Sequence, residues 1–123
     1  MSQTSITSVE HLPTAVVVHV LVDELRKNEV DALCAAVDNA RGLAPSLPFI
    51  LDMTRVTFAG SMALGVLVGL SQEFRSRNQP LIFVNLSPPV RQAIEISRLN
   101  RILEIMPDVP TALRGFPDIE KVK

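Results

Sequence analysis

The stretch from Phe49 to Phe74, FILDMTRVTFAGSMALGVLVGLSQEF, constrains this chain more than any other. Phe49-Ile50-Leu51 is an apolar run closed by Asp52. Such a short, wholly apolar run predicts a central strand covered on both faces. Gly60 then breaks the chain, and Ser61 follows as a candidate N-cap. Its hydroxyl would accept a bond from an otherwise unpaired amide of the first helical turn. Beyond it, Leu64, Leu67, Val68 and Phe74 predict a helix with one apolar stripe facing a sheet. A strand, a turn and a helix in this order set the Ser61 hydroxyl at a helix N-terminus, where amides and dipole favour negative charge.

The remaining segments repeat this alternation. Ser5 to Glu10 predicts an edge strand, and His11-Leu12-Pro13-Thr14 a turn, since proline fixes φ and removes a donor. The β-branched run Ala15 to Val20 predicts a strand antiparallel to the first. Val22 to Lys27 reads as loop. Asn28 is a candidate N-cap, with Glu29 and Asp31 in the first turn. Val30, Leu33, Cys34 and Val37 then form a helical stripe, Gly42 fits a C-terminal stop, and Pro45 and Pro48 mark a linker. After Asn78-Gln79-Pro80, the run Leu81 to Val84 is another covered strand. Ser87 caps a third helix with Pro88 and Pro89 at its start, and Val90, Ala93, Ile94 and Ile96 as its apolar positions. Leu99 and Ile102 pack after it, Leu103-Glu104-Ile105 forms a last strand, and Val109 to Gly115 a last helix with Ala112 and Leu113 inward. Residues 116–123 read as a tail.

The predicted order is β-β-α-β-α-β-α-β-α. Helices between apolar strands call for right-handed crossovers. The fold class is therefore α/β: a mixed, mostly parallel sheet of about five strands, with helices packed mainly on one face. A length of 123 residues suits a single domain spanning 1–123, with an ordered core over about residues 5–115. Such a domain buries roughly two-thirds of its unfolded surface and needs no covalent staple.

Composition narrows the function. Lys and Arg total 12 against 13 Asp and Glu, so no basic excess points to nucleic acid and no charge block to a membrane surface. Trp and Tyr are absent, leaving five Phe and little aromatic material for base stacking. Cys34, the single cysteine, reads as a small buried hydrophobe. The N-terminus shows no basic region followed by an apolar core, and the apolar run Ala63 to Leu70 is far short of the ~20 residues that span a bilayer. A cytoplasmic location is expected.

Enzyme chemistry finds little footing. A nucleophile elbow needs glycine two residues either side of its serine, and Ala59 and Ala63 flank Ser61. The histidines, His11 and His19, lie upstream in a turn and a strand. There is no P-loop and no His/Cys cluster at metal-ligand spacing. His19 reads as a strand residue and Asp52 as a structural turn carboxylate. No catalytic residue, cofactor or metal is expected. Taken on its residues alone, Ser61 is a helix cap, and an accessible hydroxyl there also suits phosphorylation. The helix face opposite the core stripe carries Ser61, Met62, Gly65, Val66 and Gly69. A solvated face would carry Lys and Glu, and each glycine costs about 1 kcal/mol against alanine in a helix interior. That face, with Gly60 before it, is the predicted partner-binding surface. Burial under a neighbouring loop or in a homodimer is the alternative.

The segment Asp52-Met53-Thr54-Arg55-Val56-Thr57-Phe58-Ala59-Gly60-Ser61-Met62-Ala63-Leu64-Gly65-Val66 resembles the signature of STAS domains. Pro80-Leu81-Ile82-Phe83-Val84-Asn85-Leu86-Ser87-Pro88-Pro89-Val90-Arg91 and Leu99 to Ile105 resemble later segments of the same family, in the same order. The resemblance spans nearly the whole chain. It implies a non-enzymatic interaction module of the anti-sigma factor antagonist type. Its partner would be an anti-sigma factor, a serine kinase of the histidine-kinase-like ATPase type. Ser61 stands where the family's antagonists are phosphorylated. Two positions depart: Gly60 replaces the family's acidic residue, and Met62 its second serine. The missing acid at Gly60 favours an alternative, a constitutive scaffold or accessory subunit of stressosome-like or lipid-transport-associated type.

Overall fold

The apolar runs become the strands of one sheet. The computed structural model describes residues 6–115. In chain order the elements are β1 (Thr7–His11), β2 (Val16–Val20), β3 (Glu24–Leu25), α1 (Lys27–Leu43), β4 (Phe49–Asp52), β5 (Phe58–Ala59), α2 (Ser61–Ser76), β6 (Leu81–Val84), α3 (Pro88–Ile96), a 3-10 turn (Leu99–Arg101), β7 (Glu104–Met106) and α4 (Val109–Arg114). Five strands form the main sheet in the order β1-β2-β4-β6-β7. Only β1 runs antiparallel, paired with β2, and the other neighbours are parallel. This is the mixed, mostly parallel α/β architecture the periodicity predicts.

The sheet is covered unequally. On one face Val16, Val18, Phe49, Leu51 and Phe83 are buried beneath α1, α2 and α3. On the other, Val17, Ile50, Ile82 and Val84 pack around Ala112 of α4. Strands β4 and β6 are apolar without alternation because both their faces are dry. Phe74, at the end of α2, meets Phe49 edge-on with ring centroids 5.3 Å apart. Leu67 is fully buried in mid-helix. Burial of one such leucine contributes about 1.5–3 kcal/mol, so the α2 stripe fixes the helix on the sheet.

Several boundaries differ from the sequence reading. Helix α1 begins at Lys27 with Arg26 as its cap residue, not Asn28. The Glu29 carboxylate accepts from the Arg26 amide at 3.1 Å, so the cap is supplied from inside the first turn. Gly42 lies within the last turn of α1 and the cap falls at Ala44, so Gly42 stops nothing. Ile96 is 75% exposed, because α3 ends there and its stripe turns out of the core. The last strand starts at Glu104, one residue later than expected. Within Val22 to Lys27, read as loop, Glu24-Leu25 pairs in parallel with Phe58-Ala59. The expected start of β1 at Ser5 and the tail 116–123 lie outside the described residues.

Candidate functional site

The minor sheet positions the start of α2. The Asp23 carbonyl accepts from the Thr57 amide at 2.8 Å and the Phe58 amide at 3.2 Å. The Leu25 carbonyl accepts from the Gly60 amide at 3.3 Å. The chain therefore enters α2 along a fixed ladder, and Gly60 is the cap residue, with extended backbone at φ −69° and ψ 164°. Its carbonyl accepts the first helical bond, from Leu64, at 2.9 Å.

Ser61 is therefore the first residue inside the helix and not its N-cap. Its side chain is exposed and makes no cap hydrogen bond. The one-residue offset arises because Gly60 carries the extended conformation that the cap position requires. No acidic side chain stands in the first turn of α2. The positive end of this helix is left without the carboxylate that α1 receives from Glu29.

Around Ser61 the structure gathers an exposed face. Met62 is 64% exposed, and Gly65 and Gly69 follow it along the helix, both exposed. A Cβ added at Gly65 or Gly69 would meet no atom of the described residues within 4 Å beyond its chain neighbours and its own helix backbone. Val66, read as outward, is half-buried and packs against the core, so it contributes only an edge. Gly60 is half-buried, and a Cβ there would meet the Phe58 ring at 3.7 Å, an ordinary contact. Phe58 itself is 42% exposed. The Arg26 guanidinium lies over its ring, 4.8 Å from the centroid, and donates from Nε to Glu24 at 2.9 Å. Phe58 extends the apolar face beyond the helix. Its signal in the sequence was a large apolar residue in a turn, one position before the core residue Ala59.

Behind this edge lies a polar cluster that sequence reasoning missed. His19 and Asp52 occupy paired positions at the ends of the parallel strands β2 and β4. His19 Nδ1 lies 2.7 Å from Asp52 Oδ2, and Nε2 lies 3.2 Å from Glu10 Oε1 on β1. The other oxygen of Asp52 accepts from the Thr54 amide at 3.1 Å, from the Thr54 hydroxyl, and from Asn85 Nδ2 at 3.0 Å. Partial burial opposes charge on Asp52, but the bonds from Thr54, Asn85 and His19 outweigh it and hold the carboxyl below its ordinary range. Burial likewise opposes charge on His19, and its bonds to Asp52 and Glu10 outweigh that, raising its pKa. A single register fact, two strand-end residues side by side, would have revealed the pair.

No group of three or more His, Cys, Asp or Glu able to hold a metal ion occurs among the described residues. Cys34 is half-buried, and burial pushes its thiol up, away from reactivity. Among the described residues, no helix is long and apolar enough to cross a membrane.

Comparison with known proteins places this geometry. A Mycobacterium tuberculosis protein carrying the provisional name anti-anti-sigma factor is 36% identical over 74 residues, covering 60% of this chain and 50% of that one. The match thus spans about half the length of that curated relative. An anti-sigma factor antagonist from Mycobacterium paratuberculosis has a TM-score of 0.69 at 25% identity, over 91% of this chain and 93% of that one. The Bacillus protein SpoIIAA, an anti-sigma factor antagonist, shares the fold in two states. Its unphosphorylated form has a TM-score of 0.70 at 22% identity, over 91% of this chain and 99% of its own. Its phosphorylated form has a TM-score of 0.64 at 21% identity, over 95% and 99%. The STAS domain family model matches residues 7–112. The main-sheet topology, the strand-turn-helix at its centre and this match agree, and the chain belongs to the STAS domain family.

Proposed function

We propose that this chain is an anti-sigma factor antagonist whose docking face is the start and exposed side of α2. One observation carries the proposal. Gly65 and Gly69 lie on an exposed helix face with open space where their Cβ atoms would sit. Each costs the helix about 1 kcal/mol relative to alanine, and no close approach among the described residues requires either. A smooth, glycine-bearing face beside Met62 and Phe58 fits close approach by another protein's backbone. The partner is an anti-sigma factor of the serine-kinase type, and Ser61 accepts the phosphate. A phosphate adds about −1.5 to −2 charges and three acceptor oxygens. At the uncompensated N-terminus of α2 that charge is tolerated by the domain, so its effect falls on the docked partner through repulsion and desolvation. The whole chain, 1–123, acts as one such unit in the cytoplasm, with no cofactor of its own.

The test is capture from native extract with wild-type, Ser61→Ala and Ser61→Asp baits, with the Ser61 peptide examined for phosphate. An ATPase-type kinase held by the first two baits and lost from the third, with phosphate on Ser61, is the expected result. Equal capture of that kinase by all three, with no phosphate on Ser61, overturns the switch. It would favour the second reading, a constitutive scaffold or accessory subunit. Gly60, which offers no carboxylate beside Ser61, is the observation that favours that reading.

A further inference from the structure

We infer that His19 and Asp52 are positioning residues for the docking edge, and that the charge on His19 sets how firmly the turn leading into α2 is held. This rests on the reading of that edge as the docking face, but its test needs no partner.

The geometry gives the charge state. Both ring nitrogens of His19 face carboxylate oxygens, Nδ1 at Asp52 and Nε2 at Glu10. An ionised carboxylate only accepts hydrogen bonds, so both contacts form together only when both ring nitrogens carry protons. A neutral ring keeps one. Asp52 then connects this ring to the turn. One carboxylate oxygen is held by His19, and the other takes the Thr54 amide and hydroxyl and Asn85 Nδ2. Asn85, at φ 59°, is itself fixed by its amide bond to the Pro107 carbonyl at 3.1 Å. From Thr54 the turn closes through the Val56 amide to the Met53 carbonyl at 3.0 Å, then runs into Phe58, Gly60 and Ser61. Asp52 thus joins the ends of β2 and β4 and the chain following β6 to the segment proposed to carry the docking face.

The surrounding charges do not compete for the ring. On β1 the facing acid is Glu10, and Ser8 is the residue directly opposite His19. On α4, which covers this face of the sheet, Asp108 caps its own helix through the Thr111 amide, and Arg114 bonds the Thr111 hydroxyl. Arg55 in the turn is exposed. Burial acts against the charged ring, and the two carboxylates override it.

The experiment is a pH titration of the labelled full chain by NMR between about pH 5.5 and 8.5, following the His19 ring and the backbone amides of Thr54, Phe58 and Ser61. The expected result is one shared midpoint for ring and amides, above the ordinary histidine value of 6.5. Glu10→Gln, an exposed change, should lower the ring midpoint and carry the turn amides down with it. His19→Gln should abolish the amide response. Turn amides that stay silent while the ring titrates, or a response that survives His19→Gln, overturn the proposal. If His19→Gln fails to fold, the paired shift in Glu10→Gln decides alone. Loss of phosphorylation or of partner capture would leave this result untouched, so the two readings fail separately.

Discussion

Arg41 Nε donates to Gln79 Oε1 at 2.8 Å, and both side chains are buried. Gln79 Nε2 donates in turn to the carbonyls of Leu47, at 2.7 Å, and Ala44, at 3.2 Å. One amide thereby ties the end of α1, the linker into β4 and the turn before β6. The Arg41 guanidinium also stacks on Phe74, 4.0 Å from the ring centroid, while its nearest carboxylate, Glu73, is 4.0 Å away. Removing Gln79 would take the Nε partner from the buried Arg41 and the side-chain donor from the Leu47 carbonyl, and would leave the Ala44 carbonyl only the Leu47 amide at 3.4 Å. We expect Gln79→Leu to destabilise the domain by about 2–4 kcal/mol, measured by urea unfolding. A loss below about 0.5 kcal/mol, the scale of an ordinary surface change, would show that this linkage is incidental.

At Gly65 and Gly69 stability and binding should move in opposite directions. A methyl at either position enters open space, and alanine is favoured over glycine in a helix by about 1 kcal/mol. Gly65→Ala and Gly69→Ala should each raise stability by roughly that amount. Gly65→Leu should fold equally well and, if α2 carries the docking face, abolish capture of the proposed anti-sigma factor partner. Unchanged affinity in the leucine variant would remove the docking face from α2.

Ser61 offers a test that separates a cap from a switch. An N-cap serine replaced by alanine costs about 1 kcal/mol. Because Gly60 is the cap residue and Ser61 makes no cap bond, Ser61→Ala should change stability by less than about 0.5 kcal/mol. Ser61→Asp should stabilise by about 0.3–1 kcal/mol, by placing charge at the bare positive end of α2. Thermal unfolding in low salt would read both. Destabilisation of the aspartate variant would mean that a phosphate there acts on the domain itself and not on its partner.

The strands and helices were legible because burial writes itself into the sequence. Phe49-Ile50-Leu51 and Leu81 to Val84 are apolar without alternation, and only a doubly covered strand needs that. Positions that depend on long-range pairing were not legible. Glu24-Leu25 is a strand only because Phe58-Ala59 lies beside it, and a two-residue ladder carries no periodicity of its own. The His19–Asp52 pair is separated by 33 residues and exists through parallel register alone. At the proposed docking edge, spacing and family resemblance single out the exposed glycines, Ser61 and Met62, but not Phe58. The offset between Gly60 and Ser61 was not legible, because glycine and serine both suit a cap.

The opposed shifts of His19 and Asp52 give the domain a two-sided pH profile. His19 binds its proton more tightly folded than unfolded. The stabilisation it brings is fully present below its ordinary value of 6.5 and is lost as pH rises through the higher folded value. Asp52 binds its proton less tightly folded, so its contribution is present above its ordinary value of 3.8 and is lost as pH falls through the lower folded value. Between those limits both carboxylate and imidazolium are charged and the cluster holds. Urea unfolding across pH should therefore show a decline in stability as pH rises above the ordinary histidine value of 6.5, which His19→Gln removes, because the variant has no proton to lose. Asp52→Asn should flatten the acid side, and should also shrink the alkaline decline, since the ring then loses its nearer counter-charge. An alkaline decline of the same size in wild type and His19→Gln would assign it to another group and separate His19 from the stability of the fold.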